Sequence, residues 1–213
     1  MAISEDISAP AFQPEIVLAD ALTPLNLNEF FGRSAPLQVD LGCGDGSFLA
    51  TAAAANPGHD FLGVERLLGR TRSACRKIMM GQLTNARVLR CDISCAVHSL
   101  LPPASVDVFH LMFPDPWPKR RHAGRRIVTE GFLASIHRAI VPHGILSITT
   151  DQNDYFRKIE SLAATSPGFV PTIDEQRQSS SSTFEKRFRQ SGMEIYRLVL
   201  RKVSPVTKLL ASH

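Results

Sequence analysis

Between residues 37 and 164, short apolar runs alternate five times with segments of helical periodicity, and this alternation is the strongest constraint on the fold. A run such as 145–149 is too apolar to keep one face in water. Alternation of this kind is typical of parallel strands joined by right-handed crossovers, with helices on both faces of one sheet. The pattern predicts strands at 37–41, 60–64, 87–89, 106–113 and 145–149, and helices at 47–55, 67–81, 94–101, 127–140 and 155–164.

The two ends of the chain lack this alternation. Residues 1–34 contain several prolines and no sustained period, which favours an extended or partly mobile arm. Two further β-type runs, 168–172 and 194–202, are expected to complete a mostly parallel, seven-stranded sheet with an antiparallel edge strand. The sequence thus predicts a doubly wound α/β fold with an arm at 1–34, one domain at 35–203 and a tail at 204–213.

The composition favours one soluble domain. Of the 213 residues 44% are apolar, which is enough for a single well-packed core. No run of about 18 apolar residues occurs, and the acidic start with Glu5 and Asp6 does not resemble a signal peptide. The four cysteines show neither the paired spacing of a zinc site nor the density of a secreted scaffold. We therefore expect a cytoplasmic protein with reduced thiols, no metal site and no membrane segment.

A glycine-rich turn follows the first predicted strand. Gly42, Gly44 and Gly46 allow the backbone to turn sharply and to approach a ligand before a helix begins. The spacing is G-x-G-x-G rather than the G-x-G-x-x-G of dinucleotide sites, and Asp40 just before it argues against a pyrophosphate. The amine and the sulfonium of S-adenosylmethionine carry positive charge, which Asp40 can meet. The turn therefore predicts a site for S-adenosylmethionine.

Two more acids end the next two predicted strands. Glu65 lies 25 residues beyond Asp40, where a carboxylate can accept both ribose hydroxyls of an adenosyl group. Asp92 follows the third strand, where it can recognise the exocyclic amine of adenine. Each acid alone is more often a cap or a surface residue, and Asp92 can equally cap a helix that begins near Ser94. Three acids at successive strand ends around a glycine turn favour one shared cofactor site.

The run Phe-Pro-Asp-Pro-Trp-Pro-Lys at residues 113–119 follows the fourth predicted strand. Its alternate prolines fix φ near about −65° and remove backbone donors, so Asp115 and Trp117 are held in an extended loop. Basic residues continue to Arg126. A solvated connector would explain the charges, but not why an apolar strand ends by presenting an acid. The combination predicts chemistry on a nucleic-acid base, in which Trp117 either stacks on the base or packs against the sheet.

The charge balance gives only weak support for a polyanionic partner. Lys and Arg number 24 and Asp and Glu number 20, for a net charge of +4, so clustering matters more than the total. A second basic run lies in a predicted helix, where RNA contact and plain solubility are equally good interpretations. Its residues are Arg66, Arg70, Arg72, Arg76 and Lys77.

Taken in order, these motifs resemble those of the bacterial tRNA (guanine-N7) methyltransferase family. They are Val-Asp-Leu-Gly-Cys-Gly-x-Gly, Phe-Leu-Gly-Val-Glu, Arg-Val-Leu-Arg-Cys-Asp, the run at 113–126, Thr-Asp at 150–151 and Thr-Phe-Glu at 183–185. Many class I methyltransferases share the glycine motif, whereas the proline-rich run with its trailing arginines is specific to this family. The resemblance implies a Rossmann-like fold, S-adenosylmethionine as cofactor, and methyl transfer to N7 of the guanosine at position 46 in the tRNA variable loop.

Carried over by position, the resemblance also implies residue roles. Asp115 would be catalytic and would contact the cofactor. The other cofactor contacts would come from Asp40, Gly42, Gly44, Gly46, Glu65 and Asp92. Contacts to tRNA would come from Lys119, Arg125, Asp151, Ser182, Thr183 and Glu185. Ser182 stands where the family usually has threonine, which keeps the hydroxyl but leaves the position of this contact open.

Three other functions each fit part of the sequence. A class I methyltransferase for another RNA, a protein or a small molecule would keep the cofactor acids but leave the basic cluster unexplained. An inactive RNA-binding module is disfavoured by the intact glycine turn and ribose acid. A dehydrogenase is disfavoured by the glycine spacing and by the lack of a convincing hydride-transfer base. We expect tRNA as the partner of a monomer or homodimer that needs no other protein.

Overall fold

The computed structural model describes residues 12–18, 20, 23–117, 124–173 and 194–203. They form one eight-stranded sheet in the order β1-β4-β3-β2-β5-β6-β8-β7. The strands are β1 (Glu15–Ile16), β2 (Leu37–Leu41), β3 (Asp60–Val64), β4 (Ala86–Leu89), β5 (Val106–Met112), β6 (Ile140–Thr150), β7 (Phe169–Pro171) and β8 (Tyr196–Lys202). The helices are α1 (Leu27–Phe31), α2 (Ser47–Ala55), α3 (Leu68–Met80), α4 (Ile93–Cys95, continued by a π-helix at Ala96–Leu100), α5 (Glu130–Ala139) and α6 (Asn153–Thr165).

The central strands β4, β3, β2, β5 and β6 run parallel and are covered on both faces. Successive residues of a strand point to opposite faces of the sheet. In β3, Phe61 packs with Leu49 of α2 and Ile78 of α3, whereas Leu62 and Val64 belong to the core on the other face. Burial of each such side chain contributes about 1.5–3 kcal/mol, so the strand ends stand on a rigid platform.

The order of the strands reverses at β2. Strands β3 and β4 lie on one side of β2, and β5 and β6 lie on the other. The connections after β2 and β5 therefore leave in opposite directions and open a crevice at the carboxyl ends of these strands. The segments that follow β2, β3, β4 and β5 all reach this edge of the sheet.

The Rossmann-like, doubly wound fold predicted from the sequence is confirmed. The sheet has one more strand than expected, because β1 pairs with β4. The antiparallel strand is β8, which lies between β6 and β7 rather than at the edge. The helix expected from residue 127 begins at Glu130, where the hydroxyl of Thr129 accepts a hydrogen bond from the backbone nitrogen of Phe132 at 3.1 Å.

The segment expected to be an extended arm packs on the domain in its described part. The backbone nitrogen of Val88 donates to the carbonyl of Pro14 at 2.8 Å, next to the pairing of β1 with β4. Ile16 and Leu25 are only 4% and 6% exposed. A two-residue strand and a five-residue helix are too short to leave a period in the sequence, and they form through tertiary contacts. The domain boundary at residue 35 stays a prediction.

Candidate active site

The turn after β2 holds three glycines in left-handed conformations. Gly42, Gly44 and Gly46 have φ values of 79°, 57° and 75°, which residues with a Cβ seldom adopt. A Cβ at Gly46 would also lie 2.5 Å from the Cβ of Ala74 on α3. The backbone nitrogen of Gly42 donates to the carbonyl of Val64 at 2.8 Å, which ties the turn to the end of β3. The turn is thus a fixed cradle at the start of α2.

Glu65 connects this turn to the start of α3. Its Oε2 accepts a hydrogen bond from the backbone nitrogen of Gly44 at 3.2 Å, and its Oε1 accepts one from Leu67 at 2.8 Å. The residue is 6% exposed. Two backbone donors therefore fix the direction of the carboxylate, and its remaining acceptor sites suit hydroxyl donors of a ligand.

Asp92 and Asp40 lie at different depths. Oδ1 of Asp92 accepts a hydrogen bond from the backbone nitrogen of Ser94 at 2.8 Å and caps α4. A carboxylate has acceptor sites beyond the one used by a cap, so this role does not exclude a ligand. Asp40 is 1% exposed, and on β2 it stands between Gly63 of β3 and His110 of β5. Asp40 thus lies inside the sheet layer beneath the glycine turn.

The strand ends enclose a cleft of about 450 Å³. It is lined by Gly42 after β2, Glu65 after β3, Asp92 after β4, and Asp115 and Trp117 after β5. A cavity of this size suits a small-molecule ligand, for which sites of about 300–1,000 Å³ are usual. Acids that are far apart in the sequence therefore share one cleft.

The loop after β5 leaves the sheet through unusual backbone conformations. Phe113 and Trp117 have φ values of 50° and 42°, a region that costs a bulky residue about 1–3 kcal/mol. The backbone nitrogen of Phe113 donates to the carbonyl of Thr149 on β6 at 2.7 Å. Asp115 is exposed between these two aromatic residues and faces the cleft that it lines. Strain of this kind is typical of positions that a function holds in place.

Arg125 lies on the aromatic ring of this loop. Its guanidinium carbon is 4.9 Å from the ring centroid of Trp117, within the range of a cation–π contact. Both residues line the cleft. Trp117 therefore has one face against a cation, and its side chain contributes to the wall beside Asp115.

Arg126 connects the same loop to α6. Its Nε donates to the carbonyl of Pro116 at 2.7 Å, and its guanidinium carbon lies 4.8 Å from the ring centroid of Tyr155. Tyr155 is fully buried, and its hydroxyl accepts a hydrogen bond from the backbone nitrogen of Val128 at 3.2 Å. From the sequence, Arg126 is expected only as part of the basic cluster 119–126 that would bind phosphates, and no role is expected for Tyr155, because no local pattern links a loop arginine to a helix about 30 residues farther along the chain. The pair ties the neighbour of Asp115 to α6.

The cysteines around the cleft are held as neutral thiols. Burial raises the pKa of Cys43 well above its usual range, and the carboxylates of Asp40 and Glu65 raise it further. Burial also raises the pKa of Cys91, which lines the cleft, to about 12. Neutral thiols are poor nucleophiles and poor metal ligands. Among the residues that the structure describes, no group of His, Cys, Asp and Glu side chains could hold a metal ion.

Comparisons with known proteins agree with this geometry. A family model described as "Putative methyltransferase" matches residues 34–198. A tRNA (guanine-N(7)-)-methyltransferase of Rubrobacter xylanophilus is 34% identical over 194 residues, which cover 85% of this chain and 83% of that protein. The chain belongs to the tRNA (guanine-N(7)-)-methyltransferase family. The resemblance found in the motifs is thereby confirmed.

Members of this family differ in length. A tRNA (guanine-N(7)-)-methyltransferase of Thermotoga maritima is 32% identical over 182 residues, and the chain spans 84% of its own length but 58% of that relative. Among solved structures, the antibiotic-resistance methyltransferase Kmr matches with a TM-score of 0.59 and 18% identity, over 84% of this chain and 92% of that one. At this level of identity the likeness concerns the fold.

The predicted site residues of this family member fall into four groups. Those that line the cleft are Gly42, Glu65, Asp92, Asp115 and Arg125. Those in β2 and the turn behind it are Asp40, Gly44 and Gly46. Asp151 directly follows β6 and does not line the cleft. Its carboxylate accepts a hydrogen bond from Nε2 of Gln152 at 3.2 Å. Those outside the described residues are Lys119, Ser182, Thr183 and Glu185.

No helix within the described ranges is both long and apolar enough to cross a lipid bilayer.

Proposed function

We propose that this protein transfers the methyl group of S-adenosylmethionine to N7 of a guanosine in tRNA. The observation that carries the proposal is one cleft lined by Glu65, Asp92 and Asp115 at the point where the strand order reverses. The family relationship supports both the methyl donor and the tRNA substrate, because the relatives are named tRNA (guanine-N(7)-)-methyltransferases.

The residues present fit S-adenosylmethionine. The volume of about 450 Å³ is sufficient for an adenosyl group with its amino-acid tail. Glu65, oriented by two backbone donors, would accept the ribose hydroxyls, and Asp92 would accept the adenine amine. The glycine turn lets the backbone approach the tail, and buried Asp40 below the turn provides the negative charge for its amine.

The methyl transfer requires the protein to position the guanine and does not require a general base. When bound, S-adenosylmethionine supplies an electrophilic methyl group on a positively charged sulfur. Attack by the lone pair of N7 on this methyl carbon would leave the carbon–sulfur electron pair on sulfur and would require no proton to be removed. Holding N7 in line with the methyl group can contribute about 7–11 kcal/mol in favourable cases. The fixed loop after β5 is suited to this alignment.

Asp115 is the residue that would align the guanine. Its exposed carboxylate in the cleft wall can accept hydrogen bonds from N1–H and the 2-amino group of the base. Methylation leaves the ring positively charged, and a fixed carboxylate beside the ring stabilises that charge as it develops. A cation placed on N7 itself would block the lone pair, so Lys119 and Arg125 would bind O6 or phosphate instead.

The wall beside Asp115 would receive the base. Trp117 offers an aromatic surface in the cleft while Arg125 covers its ring, and RNA bases commonly stack on such surfaces once they leave a loop. The remaining substrate contacts would come from Asp151 and from residues outside the described ranges, which are Ser182, Thr183 and Glu185. The tRNA would bind a cytoplasmic monomer or homodimer without another protein.

Mapping the modified nucleotide tests this function. The full chain is incubated with unmodified tRNA and S-adenosylmethionine, and the tRNA is digested and examined by mass spectrometry. We expect 7-methylguanosine at a single position in the variable loop. Transfer to another RNA, a protein or a small molecule, with none to tRNA, would reject the proposal and favour another class I methyltransferase. The Asp115→Ala variant is the matched control for a contaminating activity.

A further inference from the structure

Resting on this proposed function, we propose that exposed arginines on α3 and just before it form a tRNA-binding surface that begins at the rim of the cleft. This surface, the α3 arginine face, consists of Arg66, which precedes the helix, and of Arg70, Arg72 and Arg76 within it. The partner is the phosphate backbone of the same tRNA whose guanine enters the cleft.

The α3 arginine face has no counter-charge in the described part of the chain. All four arginines are exposed, and none of their side chains forms a hydrogen bond or an ion pair with a described residue. Residues 66–80 contain no Asp or Glu. Lys77 on the same helix differs, because it pairs with Asp45 at 2.5 Å. Within the described ranges, the four guanidinium groups are therefore available to an external anion.

Two arginines elsewhere in the fold have structural roles, because their side chains bind other residues of the chain. Arg33 pairs with Asp60 at 2.7 Å. Arg138 donates to the carbonyls of Val97 at 2.9 Å and Leu101 at 2.8 Å, where it satisfies the end of the π-helix. No described residue makes a comparable contact with the side chains of the α3 arginine face, so these contacts do not account for the four arginines.

The placement of these charges is also unfavourable for the helix itself. Arg72 and Arg76 are like charges four residues apart, which repel on one helix surface. Arg70 lies in the first turn of α3, which contains no acid, where the helix dipole disfavours cations. Bound phosphates would relieve both repulsions. A local conflict of this kind is expected where function, rather than stability, selects the residues.

The α3 arginine face begins at the active site. Arg66 and Arg70 line the cleft that also contains Asp115, and the helix then runs away from it. At about 1.5 Å per residue, Arg76 lies about 9 Å farther along the axis than Arg70. At about 100° per residue, Arg72 and Arg76 share one side of α3, and they lie roughly 160° and 120° around its axis from Arg70. RNA carries one phosphate per nucleotide, so a strand that leaves the cleft at Arg70 and crosses the exposed side of the helix would meet both of them.

The double variant Arg72→Gln/Arg76→Gln tests this surface. Neither residue lines the cleft, and glutamine keeps the helix propensity of arginine. We expect the Kd for unmodified tRNA to rise about 10-fold, and the slope of log K against log salt to fall by roughly 0.7–0.9 per lost contact. Affinity for S-adenosylmethionine, measured by calorimetry, should not change, and the melting temperature should stay equal or rise.

The matched control is Arg201→Gln. It removes one exposed positive charge from β8 at Arg201, which pairs with Ile145 in the middle of β6 and is not part of the cleft lining. We expect no change in tRNA affinity or in its salt dependence. If the control lost as much tRNA affinity as the double variant, net charge alone would govern binding, and the proposal would be overturned.

Two further results would overturn the proposal. One is an equal Kd and an equal salt slope in the double variant and the wild-type protein. The other is a changed oligomeric mass with unchanged tRNA affinity, which would assign the face to a second copy of the chain. The proposed function is tested separately, because it fails only if the wild-type protein leaves N7 of tRNA guanosine unmethylated.

Discussion

The cofactor side of the cleft and the loop after β5 are held by different kinds of contact. On the cofactor side, backbone hydrogen bonds between strand ends fix the glycine turn, and Glu65 is oriented by two main-chain nitrogens. The loop instead passes through strained residues, Phe113 and Trp117, and is tied to α6 by the side chain of Arg126. The cofactor side is thus fixed by the backbone of the sheet, whereas the loop after β5 is also fixed by side-chain contacts.

This difference has a functional consequence. Backbone contacts within a packed sheet cannot be removed by one substitution, whereas the side-chain contact of Arg126 with the loop can be. We therefore expect mutations on the two sides to separate cofactor affinity from turnover. The following experiments test that separation.

The largest effect is expected for Asp115→Ala on the loop side. Loss of the aligning carboxylate should reduce single-turnover methyl transfer about 10²–10³-fold, by analogy with the loss of one preorganised charge-stabilising group. Affinity for S-adenosylmethionine, measured by calorimetry, should stay largely intact. Asp115→Asn keeps the shape but not the charge and separates alignment from charge stabilisation. Unchanged turnover in the alanine variant would contradict the role of Asp115.

Glu65→Ala on the cofactor side should have the next largest effect. It removes the proposed acceptor for the ribose hydroxyls and leaves the backbone nitrogens of Gly44 and Leu67 without their partner. Two or more charge-assisted hydrogen bonds are lost, so the Kd for S-adenosylmethionine should rise about 30-fold, or about 2 kcal/mol. At saturating cofactor, kcat should approach that of the wild type. An unaltered binding isotherm would show that the assignment is wrong.

Arg126→Ala should have a smaller effect on the loop side. The carbonyl of Pro116 loses its tether to Tyr155 and α6, so we expect kcat to fall about 10-fold while affinity for S-adenosylmethionine is kept. Tyr155→Phe is the matched control, because it keeps the ring under the guanidinium and should leave kcat nearly unchanged. If cofactor affinity fell in parallel with kcat, Arg126 would be acting on the whole cleft rather than on the loop.

The smallest expected effect is a slow alkylation of the thiols on the cofactor side. Raised pKa values keep Cys43 and Cys91 protonated as the pH rises through the range where a free cysteine, with a pKa of about 8.5, ionises. Alkylation of these two residues in the native protein at pH 7–9 should therefore be slow by mass spectrometry. The unfolded protein provides the control, since both should then react readily. Fast native alkylation would mean that the cofactor side opens to solvent.

The sequence predicted the central elements well because their hydrophobic periods are strong. Strands β2 and β3 and helix α2 begin and end at the predicted residues, since each combines a clear period with a glycine, proline or polar boundary. Strand β5 ends at Met112 instead of Phe113, because Phe113 adopts a positive φ that a pattern of residue types does not reveal. The short β1 and α1 were missed because they depend on tertiary contacts.

The candidate site was predictable to the same degree. Acids that end neighbouring parallel strands must meet at one edge of the sheet, so the shared cleft of Glu65, Asp92 and Asp115 follows from the fold class. The contacts that hold these residues in place did not follow from the fold class. No sequence rule pairs Arg126 with Tyr155, because the contact joins a loop to a helix through side-chain packing.

The sequence by itself determined the order of strands and helices, the glycine turn and the residue types that a methyl donor and a base require. These depend on local backbone preference and on which faces must be buried, and both can be read along the chain. Only the tertiary structure decided which acid lies in the cleft wall and which beneath it, and which arginines hold the loop. Those outcomes depend on distances between segments far apart in the chain, which are set when the two faces of the sheet pack.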